Sequence, residues 1–191
     1  MSLEAWALAV LEKQPVYFED VGSPDKGMQL AMIAKAITEA AREQRGFPLS
    51  KQRLVAAEIA ILENESHGSL RIHRNECDLK KRECDSGRAI SLFQLHANAL
   101  TAPEVWPTLG FMTFESTKLS AKEASRIFTR SYLYCVSTGA AGDRIAMALT
   151  AYAGRGCQLD KWQGWRVRLD TFTRALSVPV PHADLSQKQP S

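Results

Sequence analysis

Apolar positions recur at near-helical spacing along most of this chain. Leu3, Trp6, Ala7, Val10 and Leu11 share one face and predict a helix over 3–13, which Pro15 ends. Positions 16–26 are rich in Gly, Ser, Pro and Asp and read as a connection. Leu30, Ile33, Ala34, Ile37 and Ala41 predict a second helix over 27–44, closed by Gly46-Phe47-Pro48. Ser50 is placed to cap a third helix running to Glu65, with Leu54, Glu58, Ile61, Leu62 and Glu65 on one stripe. Ile90, Phe93 and Ala97 predict a short helix over 89–100. Pro103, Trp106, Pro107 and Gly110 then break the periodicity over 101–120. Ser120 is placed to cap a long helix over 121–137, carrying Ala124, Ile127, Phe128, Leu133 and Cys135. Gly142-Asp143 opens the next helix, with Ile145, Ala148, Leu149 and Tyr152 on a stripe, and a last helix is expected over 159–176. No internal repeat is visible. The pattern predicts a mainly α single domain over 1–177, the helices of residues 1–48 packing on the remainder. The Pro-, Ser- and Gln-rich stretch 178–191 reads as a disordered tail.

Residues 68–88 break the helical rhythm. They are polar and charged, with a brief alternation at Leu70-Arg71-Ile72-His73 that suggests a short strand. A long stretch without strong periodicity often carries function. It contains Cys77 and Cys84; Cys135 and Cys157 complete the set. Four cysteines allow three disulfide connectivities. Cys77 with Cys84 would staple the polar loop, and Cys135 with Cys157 would tie two helices, implying an oxidising destination. A zinc site using Cys77 and Cys84 with His67, His73 or His96 is the competing reading, but the gap between the cysteines is wider than structural zinc sites use. No metal and no cofactor are expected.

Composition adds few constraints. The 191 residues are enough for one proper core, and the 45% hydrophobic and 24% charged content is that of an ordinary globular protein. The net charge of +3 makes the surface mildly basic. The densest basic run, Lys80-Lys81-Arg82, is followed by Glu83 and reads as a solvated loop, so no nucleic-acid partner is expected. No apolar run reaches the ~18 residues that span a bilayer. The first residues lack the layout of a secretory signal, since Glu4 precedes any basic residue. A monomer is expected.

The candidate chemistry centres on Glu65-Ser66-His67-Gly68. Glu65 stands on the apolar stripe one turn beyond Ile61, at the carbonyl end of its helix, before a glycine stop. The helix dipole and partial burial both disfavour an ionised carboxylate there, as a general acid requires. Glu63 lies about 200° further round the helix and is expected to face solvent. Gln94 offers an amide that both donates and accepts. Tyr152 offers a hydroxyl at a stripe position. Asp85 leads the candidates for a second carboxylate, with Asp78, Glu83 and, less favoured, Glu76. Trp106, Trp162 and Trp165 offer flat aromatic rings for stacking, the last two at core spacing.

Three segments are informative together: Ala60-Ile61-Leu62-Glu63-Asn64-Glu65-Ser66, Ser86-Gly87-Arg88-Ala89-Ile90-Ser91-Leu92-Phe93-Gln94, and Ala148-Leu149-Thr150-Ala151-Tyr152-Ala153-Gly154-Arg155-Gly156. In order and chemistry they resemble the lysozyme-like soluble lytic transglycosylase family, related to goose-type lysozymes. The resemblance spans roughly 55–156. Ser91 stands where the family usually has glycine, Phe93 where it has methionine, and the asparagine after the tyrosine is missing. The resemblance implies a lysozyme-like domain, to which this chain adds a cysteine-bracketed polar insertion, since the span from Glu65 to Gln94 is longer than is usual in the family. It implies as substrate the glycan strand of bacterial peptidoglycan, cut at the MurNAc–GlcNAc β-1,4 bond. Glu65 would protonate the leaving oxygen and then act as base on the 6-hydroxyl, closing a 1,6-anhydro ring, while Ser66, Ser91, Gln94 and Tyr152 bind substrate. A hydrolytic lysozyme using a second carboxylate such as Asp85, or an inactive glycan-binding relative, are the alternatives. The implied location is the bacterial envelope or the cell exterior, by a route the sequence does not show; a phage or secretion-system origin would account for it.

Overall fold

The computed structural model describes residues 2–14, 26–81, 83–111 and 113–179. The expected connection over 16–26 lies outside these except for Lys26, and so does the expected tail from 180 onward. The described chain is 69% helical and 2% strand, a mainly α architecture.

Helix α3 (Lys51–Ser66) occupies the centre. The sequence suggests one apolar stripe, but every residue from Leu54 to Leu62 is fully buried, Glu58 included. A helix apolar all round belongs inside a core. Around it pack α1 (Leu3–Lys13), α2 (Lys26–Glu43), α6 (Phe114–Ser137), α7 (Arg144–Tyr152) and α8 (Trp165–Ser177). Burying each of Leu54, Ile59, Ile61 and Leu62 contributes roughly 1.5–3 kcal/mol.

Local chemistry sets the helix ends. The hydroxyls of Ser2, Ser50 and Thr113 and the Asp143 carboxylate each accept a backbone N–H three residues on. Cap choice accounts for one correction. Ser120 was expected to start the long helix, but Thr113 starts it nearly two turns earlier, and Ser120 instead donates to Leu109 O at 2.9 Å. Helix α2 is pinned to α6 by Lys118, 2.7 Å from both Glu39 and Glu43, and by Lys122, 2.9 Å from Glu43. Hydrogen bonds from these two lysines hold the Glu43 carboxyl down at about 2. Cys135 and Cys157 form a disulfide from α6 to the segment after α7.

The stretch between α3 and α6 differs most from expectation. Residues 70–73 form one helical turn, α4 (Leu70–His73), rather than a strand. After it, Cys77 and Cys84 are joined, which closes the zinc alternative. Glu83 Oε2 accepts from Arg71 and from the Asp78 N–H, both at 2.7 Å. The turn α5 (Cys84–Gly87) follows, with Cys84, Asp85, Ser86 and Gly87 all at positive φ. The helix expected over 89–100 is a hairpin: β1 (Ala89–Ile90) pairs antiparallel with β2 (Leu95–His96). Ser91 (φ 73°) and Gln94 (φ 49°) bend the chain left-handedly at both ends of the connecting turn, which no helix permits.

At the C-terminal end, α8 starts at Trp165 rather than 159; residues 159–161 make a separate 3-10 turn. Val178, expected in the tail, is buried, and its carbonyl accepts the Trp6 indole N–H at 3.0 Å. This bond fastens α1 to the end of α8.

Candidate active site

Glu65 sits on the last turn of α3, just before His67 (φ 51°) and Gly68 (φ 66°) turn the chain away. Its side chain is 19% exposed. It lines a cleft of about 260 Å³ together with Asp85, Gln94, His96, Tyr152 and Gly154. Segments far apart in the chain thus meet around one carboxylate: the end of α3, the disulfide-stapled turn, the hairpin and the end of α7.

The sequence places this carboxyl on an apolar stripe and names no charged partner for it. The structure gives it a partner: Arg168, on α8 and 7% exposed, donates to Glu65 Oε1 at 2.5 Å. The Trp162 ring lies under the Arg168 guanidinium, 5.1 Å from its centroid. No hydrogen bond to Glu65 Oε2 is formed within the described residues. Arg168 therefore fixes one of the two carboxylate oxygens. Arg168 was overlooked in the sequence, although a signal existed. It shares a helical face with Phe172 and Ala175, so it is a charge on an apolar stripe, as Glu65 is.

Tyr152 donates its hydroxyl to Phe93 O at 3.0 Å, tying the end of α7 to the hairpin turn. Burial, and then the Glu65 charge, push its phenol well above the ordinary value, so it stays neutral and keeps that proton. Gln94 spends its amide N–H on Ser91 O at 3.1 Å. Its Oε1 has no partner among the described residues and can accept from a ligand N–H or O–H.

Ser66 and Ser91 were expected to touch substrate. Both are fully buried and neither lines the cleft. Ser66 bonds Leu62 O and accepts the Gly68 N–H, which fixes the turn after Glu65. Ser91 accepts the Phe93 N–H inside the hairpin turn. Its positive φ explains why a glycine would suit this position.

Of the acidic candidates in the polar loop, only Asp85 lines the cleft among the described residues. Its carboxylate pairs with Arg88 at 3.1 Å and lies 3.7 Å from His96 Nε2. Glu83 is committed to Arg71 and the Asp78 N–H, which draw its carboxyl down to about 2. Glu63, expected in solvent, is buried against α8 and bonds Arg174 at 3.2 Å; burial pushes its carboxyl up. None of Trp106, Trp162 and Trp165 lines the cleft, and Trp162 and Trp165 are half-buried rather than core.

His73 positions the site from behind. Its Nδ1 accepts the Leu92 N–H and its Nε2 donates to Phe111 O, both at 3.2 Å. Burial lowers its pKa to about 4, so the imidazole is neutral. Gly110 packs directly against it, since a Cβ there would come 2.5 Å from His73 O. The hairpin turn carrying Gln94 thus has supports on two sides, Tyr152 and His73.

The arrangement can bind a neutral polar chain, present an oriented carboxyl to one of its bonds, and offer a second carboxylate nearby. No protein-family model, curated protein or solved structure matches the chain.

Proposed function

We propose that this chain cleaves the glycan strands of bacterial peptidoglycan through a lysozyme-like site, with Glu65 as acid and then base. The observation that carries this reading is the convergence of Glu65, Gln94 and Tyr152, from three separated motifs, on one cleft. In the first step Glu65 gives a proton to the glycosidic oxygen as the C1–O bond breaks. The neighbouring N-acetyl group of the substrate stabilises the oxocarbenium-like C1. In the second step Glu65 takes the 6-hydroxyl proton as O6 bonds to C1, and a 1,6-anhydro end results. Arg168 is a positioning residue, holding Oε1 so that the other oxygen meets the bond. Gln94 Oε1 accepts from the sugar's amide or hydroxyl.

A second reading is supported by Asp85, which shares the cleft. With a second carboxylate, water becomes the nucleophile and the product carries a reducing end. Product analysis on purified sacculi separates the readings. Anhydro ends support transglycosylation, reducing ends support hydrolysis, and binding without release marks an inactive relative. The two disulfides fit an oxidising compartment such as the cell envelope. No described helix is long and apolar enough to cross a membrane.

A further inference from the structure

The cleft does not end at Gly154. That residue also lines a second depression of about 460 Å³, bounded by Ala99, Arg126, Arg130, Tyr134 and Gly156. Arg126, Arg130 and Tyr134 in turn border a third, of about 510 Å³, which Arg45 and Leu133 also line. The three hollows form a chain with shared walls. They differ sharply in charge. The first holds two carboxylates, Glu65 and Asp85. Among the described residues, the second and third have no acidic lining residue and three arginines between them.

Arg126 is committed, through Glu123 and Ala99 O. Arg45 and Arg130 have no ion-pair partner among the described residues. Beside them, Tyr134 is 59% and Leu133 44% exposed. Arg126, Arg130 and Tyr134 succeed one another at four-residue steps along α6, a row about 12 Å long, the reach of roughly four extended residues.

We propose that this arginine-lined groove binds the acidic peptide appended to the glycan strand, while the sugars occupy the cleft. The proposal rests on the glycan-cleavage reading above. Charge decides between anionic ligands. A nucleic-acid backbone or another polyanion running through all three hollows would bring its charges against Glu65 and Asp85. A glycan strand meets them with an uncharged backbone and carries its carboxylates on a side branch. The exposed Tyr134 ring and Leu133 give the peptide's apolar side chains a surface, and Arg130 and Arg45 meet its carboxylates. The groove therefore makes the protein selective for strands that still bear peptides.

The test compares purified glycan strands with their peptides against the same strands after an amidase has removed them. The probes are the wild type and the double variant Arg45→Glu/Arg130→Glu, whose sites are on the surface and whose folding is checked by its thermal melt. The wild type should cut peptide-bearing strands with the higher kcat/KM. The double variant should lose about tenfold on those strands, keep its rate on bare strands, and lose its preference. In the wild type the preference should shrink as salt is raised from 50 to 500 mM. Equal losses on both substrates, or no loss on either, overturn the proposal. If the wild type cuts neither substrate, the cleavage reading fails separately, and binding of a fluorescent muropeptide decides the groove. Weaker binding by the double variant supports it, and unchanged binding overturns it.

Discussion

The neutral His73 makes a prediction that is independent of any substrate. Folding places its imidazole between the Leu92 N–H and Phe111 O, with both ring nitrogens used. Desolvation is the main cause of its lowered pKa, with Arg74 adding in the same direction and the bond to Phe111 O opposing. The unfolded chain takes up a proton near 6.5, whereas the folded chain refuses it until about 4. Between these values the unfolded state binds more protons, so stability falls as pH falls. The contribution is complete above about pH 6.5 and is lost on the way down to about 4. At ~1.4 kcal/mol per pH unit, the interval gives about 3 kcal/mol. His73→Gln removes the titration. Urea denaturation of both proteins at pH 7 and pH 4 should show the wild type losing about 2–3 kcal/mol relative to the variant. Groups common to both proteins cancel in that difference. A difference that stays constant across the interval would refute the neutral, buried imidazole and its support of the hairpin turn.

Three further outcomes are expected. Glu58 is fully buried and burial raises its carboxyl well above 4.5, so its contribution has the opposite sign: it is complete below pH 4.5 and declines as pH rises, by at most about 1.4 kcal/mol per pH unit; Glu58→Gln should therefore raise the melting temperature at pH 7 and lose that advantage near pH 4. Arg168→Met should lower kcat with KM little changed, and should cost about 3 kcal/mol in a chemical melt by leaving Glu65 without its partner. The disulfides should differ in role: by loop length, removing Cys135–Cys157 costs about 3 kcal/mol, while removing Cys77–Cys84 costs about 2 kcal/mol and also lowers activity, because Cys84 immediately precedes Asp85 in the cleft wall.

Helices with a polar cap and a clear apolar stripe were legible. The helix of residues 3–13 was placed to the residue, and Ser50 and Asp143 marked true starts. The hairpin is hidden in the sequence because Ile90, Phe93 and Ala97 match helical spacing over a run too short for the period to decide. What makes it a hairpin is left-handed backbone at Ser91 and Gln94, two residue types that do not announce it. Glu63 was misplaced because the central helix is buried all round, a property set by the five helices packed about it. Glu65 could be nominated by residue type and position, Gln94 and Tyr152 through the resemblance of their segments to the transglycosylase motifs, and Asp85 as one of several acidic residues in the polar loop. Arg168, 103 residues from Glu65, is joined to it only by the packing of α8 on α3. The two serines were nominated as ligands and serve the backbone instead, since a hydroxyl at a turn is as readily used by the chain as by a substrate.

In the proposed function Glu65 breaks a glycosidic bond. The most direct measurement is mass analysis of fragments released from purified sacculi by the wild type and by Glu65→Gln at matched fold and concentration. The wild type should release anhydro-ended fragments, and the variant should lose release by at least about a hundredfold. Equal release by the two proteins would contradict that role.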